Sequence, residues 1–224
     1  MNVRPLAFAA IIVFSLSGAV SARAESGTML FSDDFERTGL GAWKEMVPSF
    51  DVRGGELVAK QGRDDHGAVG RVLVPMKDVV VDFRFRFDGS PSFNAVFDDK
   101  SYKGSHAGHI CRVAFTPKQV RLGDDKEGLM RNDIFAMRKD KARKAEAEAE
   151  LVGRSAAAPV TLERDAWHDA RIEIIGDLMK VAVDGKPVAD LRSPGIAHDT
   201  KSSFHFTVTG PGMRFDDVRI RAAR

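Results

Sequence analysis

The chain has 224 residues, with 34 Lys or Arg against 32 Asp or Glu. Setting aside Arg4 and Arg23, which lie in an N-terminal stretch without acids, leaves 32 basic and 32 acidic residues; this near-neutral balance argues against bulk electrostatic capture of nucleic acid or an anionic membrane. Cys111 is the only cysteine, so no internal disulfide is possible, and its strand-like surroundings mark it as a small buried hydrophobe rather than a nucleophile.

The N-terminus reads MNVRPLAFAAIIVFSLSGAVSARA. Arg4 supplies a positive start, Leu6 to Leu16 an apolar core broken only by Ser15, and Ala22-Arg23-Ala24 a small-x-small cleavage site. The pattern predicts a signal peptide over 1–24, cut after Ala24, and a secreted or periplasmic protein. The apolar run is short for a membrane span, and no second one follows. Residues 25–224 suit a single β-sandwich domain.

Strand-like runs then recur between turn signals. Met29 to Phe31, Trp43 to Val47, Phe50 to Val52, Glu56 to Ala59 and Val69 to Val74 come first. Over 79–87, Val79, Val81, Phe83, Phe85 and Phe87 alternate with Asp82, Arg84 and Arg86, a period of two that defines a half-buried strand. His109 to Phe115 and Gln119 to Leu122 flank a turn at Thr116-Pro117-Lys118. Leu178 to Val183 and Pro187 to Leu191 flank Asp184-Gly185, which suits a type I′ hairpin. With 167–175, 203–209 and 213–221 the chain holds about a dozen short strands and no βαβ alternation, the signature of a sandwich or barrel. One stretch differs. Asp133 to Val152 is rich in Ala, Glu, Lys and Arg, lacks Gly and Pro, and pairs Lys144 with Glu148 at i, i+4; it predicts one exposed inserted helix of about five turns, with a disordered charged loop as the competing reading.

The stretches LFSDDFER, FDVRGGELVA, VVVDFRFRFDG, WHDARIEIIGDLMKVAVDGKPVADL and MRFDDVRIRA together resemble the concanavalin A-like jelly-roll superfamily, closest in pattern to the 3-keto-disaccharide hydrolase family. The resemblance implies an all-β jelly roll with a carbohydrate partner; the inserted charged helix (about 133–152) is an addition to the family's pattern. It departs at PSFNAVFDDKSYKGSHAGHICRV, where the family has a Gly-Asn-Ser-Gly-type strand, so the hydrolase activity is not carried over directly. Laminarinase-type glucanases of this superfamily hold their carboxylates as Glu-x-Asp-x-x-Glu on one strand. That spacing is absent here, which argues against a retaining glucanase of that type.

The densest polar cluster runs from Asn94 through Asp98, Asp99, Lys100, Tyr102, His106 and His109. Two chemistries are open for Asp98, His106 and His109: a His/carboxylate site for Zn, Mn or Fe, or a carboxylate orienting an imidazole as general base. An ordinary turn with loop hydrogen bonds accounts for the same residues. Asn94, Lys100 and Tyr102, with Arg84, Arg86, Arg112 and His205 on polar strand faces, are the candidate ligand-binding residues. Arg and carboxylate groups suit sugar hydroxyls but equally form cross-strand ion pairs. Trp43 and Trp167 resemble core positions, leaving Tyr102 as the aromatic platform. Asp124-Asp125-Lys126 reads as a turn. By resemblance to laminarinase-type sandwiches, Asp34 and Asp216 are expected to meet where first and last strands pair and to hold a structural Ca2+. Two functions follow: a carbohydrate-active domain that binds a glycan or hydrolyses a (3-keto-)glycoside, or a non-enzymatic envelope interaction or structural domain.

Overall fold

The computed structural model describes residues 26–223. The leader expected over 1–24 lies outside the described residues. Fifteen strands follow in chain order: β1 (Ser26–Asp33), β2 (Lys44–Val47), β3 (Phe50–Arg53), β4 (Glu56–Ala59), β5 (Ala68–Met76), β6 (Val79–Phe87), β7 (Ser92–Asp98), β8 (His109–Phe115), β9 (Gln119–Asp124), β10 (Ser155–Pro159), β11 (His168–Ile175), β12 (Leu178–Val183), β13 (Lys186–Arg192), β14 (Lys201–Thr209) and β15 (Met213–Ala223). They form two antiparallel sheets. The first has the order β13-β12-β11-β6-β15-β4-β3, with β1 also paired to β15; the second has the order β10-β9-β8-β7-β14-β5-β2. The architecture is a two-sheet antiparallel jelly-roll sandwich.

The alternation in β6 does what its pattern predicts. Val79, Val81, Phe83, Phe85 and Phe87 are buried, while Asp82, Arg84 and Arg86 keep partial contact with water. The core between the sheets is phenylalanine-rich. Phe206 of β14 stacks on Phe215 of β15 at 3.9 Å between ring centroids, joining one sheet to the other, and Phe93 stacks on Phe115 at 4.7 Å. Each such ring removed from water stabilises the fold by roughly 1.5–3 kcal/mol. Trp43 lies in this core, stacked on Phe206, and its Nε1 donates to Asp33 Oδ2 at 3.0 Å. Cys111 is buried too, and burial pushes its thiol pKa far up. The Asp184-Gly185 turn has φ of 50° and 74°, the paired positive values a type I′ hairpin requires.

The inserted helical segment is present but divided. α1 spans Asn132–Met137 and α2 spans Lys144–Glu150. Between them Asp140 Oδ1 accepts a bond from the Ala142 N–H, a cap that ends one run and starts the next. The two helices are not simply exposed: Ile134, Met137 and Ala147 are buried against each other, with Leu151 alongside. Asp124 and Asp125, expected as a turn, are buried where the chain leaves β9 for this insertion. Asp124 Oδ2 accepts from Ser193 Oγ (2.5 Å) and Gly195 N (2.9 Å), and Asp125 Oδ2 accepts from Arg112 Nε at 2.6 Å.

Candidate functional site

Because β14 sends Phe204, Phe206 and Val208 inward, Ser203, His205 and Thr207 point to the outer face of the second sheet. Register then sets a row across five strands: Arg112 (β8) opposes Val96 (β7), Val96 opposes His205 (β14), His205 opposes Arg71 (β5), and Arg71 opposes Lys44 (β2). Two positions along β7, Asp98 lies between His109 on one side and Ser203 on the other.

Asp98 is the centre of the arrangement and is fully buried. Its Oδ1 lies 2.6 Å from His109 Nδ1, and its Oδ2 accepts from Arg71 Nη2 at 2.9 Å. His205 Nδ1 is 2.9 Å from the same Oδ2 but out of line for a hydrogen bond, so this buried nitrogen has no hydrogen-bond partner. Burial acts to raise the Asp98 pKa, yet the hydrogen bond from His109 and the close approach of the His205 and His109 rings outweigh it and hold the carboxyl below its ordinary range. Burial, opposed in part by Asp98, holds the His205 imidazole below its usual value and favours the neutral ring. His109 is the member that reaches solvent, with about 15% of its side chain exposed.

The patch carries unmet polar groups. Among the described residues seven buried side-chain nitrogen or oxygen atoms lack a hydrogen-bond partner, and five of them belong here: Arg71 Nε, Arg112 Nη2, Asp125 Oδ1, Ser203 Oγ and His205 Nδ1. A buried polar group left without any partner costs about 1–3 kcal/mol, so these atoms take theirs from water or a ligand, and their concentration marks this face as a candidate site.

The loop after β7 and the helical insertion wall this patch. His106 N–H donates to Met130 O at 2.7 Å, Asn132 Nδ2 to Lys103 O at 2.7 Å, and Asn132 N to Gly104 O at 3.1 Å. His106 does not join Asp98 and His109. Its ring stacks on Phe135 of α1 at 4.2 Å, 6.3 Å from the His109 ring, and burial lowers its pKa. Asn94 is half-buried on the same outer face, opposite Ala114 and Thr207. Lys100 is exposed in the turn beyond Asp98, its backbone N–H donating to Ser202 Oγ. Tyr102 is half-buried and packs beside His198 at 5.1 Å, with the Lys126 amine 5.4 Å from its ring; burial raises its pKa.

Arg84 and Arg86 lie on the other sheet. Their guanidiniums sit 4.9 and 5.3 Å from the ring of Trp167, which is half-buried outside the core rather than inside it. Beside them a cavity of about 650 Å³ is lined by Asp82, Arg84, Arg171, Glu173 and Arg221 among others. There the charges answer one another: Arg171 meets Asp82 at 3.1 Å and Glu173 at 2.6 Å, and Arg221 meets Asp82 at 2.7 Å. That hollow is therefore a neutralised surface, and the unsatisfied second-sheet patch is the stronger candidate. Asp34 is exposed, with Oδ1 accepting from Glu36 N, while Asp216 lies 3.4 Å from Arg84 and burial raises its pKa. The buried acid of the β1 end is Asp33, bound to Arg37, Trp43 and the Phe35 N–H.

Arg71, Ser203 and Asp125 are the site residues that sequence reasoning did not single out. Arg71 had a signal: it is the one charge inside the apolar run Val69 to Val74.

Neither a protein-family model nor a curated protein matches the sequence. Solved structures do match in fold. A Bacillus subtilis protein of unknown function with a galectin-like fold has a TM-score of 0.63 at 12% identity, covering 90% of this chain and 99% of that one. The carbohydrate-binding module CBM66 from Bacillus subtilis has a TM-score of 0.55 at 11% identity, covering 81% and 96%. The laminarinase from Rhodothermus marinus has 0.58 at 15% identity, covering 88% and 98%. These likenesses establish the jelly-roll fold; the 3-keto-disaccharide hydrolase resemblance rests on sequence motifs alone.

Proposed function

We propose that this chain is a carbohydrate-active jelly roll that engages its glycan on the outer face of the second sheet, over His109 and the row from Arg112 to Arg71. The observation that carries the reading is the set of five unsatisfied buried polar atoms on this face, at Arg71, Ser203 and His205 beside Asp98 and at the Arg112–Asp125 pair. Sugar hydroxyls both donate and accept, and guanidinium groups offer planar paired donors, so the solvent-reaching edges of His109, Arg71 and Arg112 give a glycan hydrogen-bonding groups directly above the buried cluster. The fold it shares with a carbohydrate-binding module and a laminarinase supports the same class of ligand.

Asp98 is buried and already bound, so the face does not offer the spaced carboxylate pair of ordinary glycoside hydrolysis. Any turnover fits a 3-keto-glycoside better. The ketone acidifies the C2–H; a base takes that proton, the C1–O bond breaks, the leaving oxygen takes up a proton and water adds across C1–C2, which asks for one positioned base rather than two carboxylates. Secretion, with a cut after Ala24, belongs to the same proposal and rests on the leader pattern. A structural Ca2+ near Asp34 and Asp216 does too, supported by the pairing of β1 with β15 at that end.

A glycan array, followed by an assay on 3-keto-glucosides, tests the reading. Binding that His109→Ala removes supports it. No binding and no turnover sinks it and leaves an envelope interaction or structural domain as the function.

A further inference from the structure

We infer that Asp98, His109 and His205 form a binding site for a divalent first-row transition metal, of which Zn2+ is the type. This goes beyond the glycan reading and stands without it. Among the described residues these three are the one group of His, Cys, Asp or Glu whose ligand atoms converge, one atom from each lying within 4.8 Å of the other two. They come from three adjacent strands, β8, β7 and β14, so the sheet itself holds their spacing.

Two imidazoles and one carboxylate are the donor set of zinc sites and of the two-His-one-carboxylate face used by other first-row metals. Three ligands leave coordination positions for water or a substrate oxygen. His205 adds an independent pointer. It is 98% removed from solvent, yet its Nδ1, 2.9 Å from Asp98 Oδ2 and inside the cluster, has no hydrogen-bond partner. Arg71 grips Asp98 Oδ2 at 2.9 Å, the kind of outer contact that fixes the orientation of a metal-bound carboxylate. The nitrogen–oxygen separations of 2.6 and 2.9 Å are those of a closed cluster. With metal–ligand bonds near 2.0–2.2 Å, donors in a tetrahedral site stand about 3.3 Å apart, so loading needs the two histidine nitrogens to move off the carboxylate by about 0.4–0.7 Å, a side-chain adjustment within a group already gathered inside 4.8 Å.

The test uses the purified protein stripped with a chelator and titrated with Co2+ and with Zn2+. Expected are one equivalent bound, visible d–d absorption from Co2+ displaced by Zn2+, and binding at least tenfold weaker in His205→Asn and in His109→Asn. His109→Asn is the check on folding, since His109 is partly exposed and its variant is the more tolerant; circular dichroism confirms each fold. Arg84→Ala, on the other sheet, is expected to bind as the parent does. Absence of stoichiometric uptake by the parent overturns the inference, as does uptake undiminished in folded His109→Asn. One equivalent of metal in a protein that binds no glycan supports the metal site while counting only against the function proposed above.

Discussion

Replacing Asp98 with Asn keeps shape and removes charge from the centre of the site. The carboxylate is fully buried, and it faces Arg71 at 2.9 Å and His109 at 2.6 Å. Leaving one partner of a buried pair uncompensated costs roughly 3–5 kcal/mol. Arg71 retains about 13% exposure, so water screens part of the stranded charge, and the amide still accepts one of its hydrogen bonds. The expected loss is therefore at the lower end, about 3 kcal/mol, which for a domain of this size lowers Tm by about 6–12 °C. The assay is thermal unfolding with chelator present, beside Asp51→Asn, an exposed acid whose loss is expected to leave Tm unchanged. The pH dependence carries the sign. The folded-state pKa of Asp98 is depressed, so its contribution is complete above the unfolded carboxylate value of about 4 and is lost as pH falls through the folded one. The gap between parent and variant should thus be full at neutral pH and shrink only in acid below about pH 4. A variant melting within a degree or two of the parent at pH 7 would refute the assignment of Asp98 as the electrostatic centre.

Phe206→Ala should cost about 3–5 kcal/mol in denaturant titrations, because its ring is fully buried and stacks on both Phe215 and Trp43. Gly108→Ala should destabilise by about 2 kcal/mol or more and weaken whatever His109 binds. Gly108 has φ of +76°, and an added Cβ would meet the Asp99 carbonyl oxygen at 2.2 Å. His106→Ala should leave ligand or metal affinity within about threefold of the parent; hydrogen exchange should instead quicken over 131–150, since its ring stacks on Phe135 rather than on the site. A rise in Tm on adding Ca2+, absent in Asp216→Asn, checks the calcium proposal.

The sandwich was legible because period-two alternation and turn residues are local signals. β6 alternates over nine residues with hardly a break, and Asp184-Gly185 states its turn type in two. The divided helix was less legible: Asp140 is a recognisable cap, but its weight against a continuous charged run depends on Ile134, Met137 and Ala147 packing together. Trp167 reads as core from its place before a strand, yet it ends between two arginines on an outer face. The site divides the same way. Asp98 and His109 stand eleven residues apart around one loop and were found together. His205 and Arg71 reach Asp98 only through the order β5-β14-β7, which no spacing along the chain encodes. His106 was grouped with them by proximity in sequence, and the chain turn at Ala107 and Gly108, both at positive φ, separates it from them.

The most direct measurement is a calorimetric titration of an array-selected glycan into the parent protein, His109→Ala and Arg84→Ala. The account predicts that binding is lost in His109→Ala and kept in Arg84→Ala, because the ligand lies on the second sheet. Binding kept in His109→Ala and lost in Arg84→Ala would put the ligand in the first-sheet cavity and contradict it.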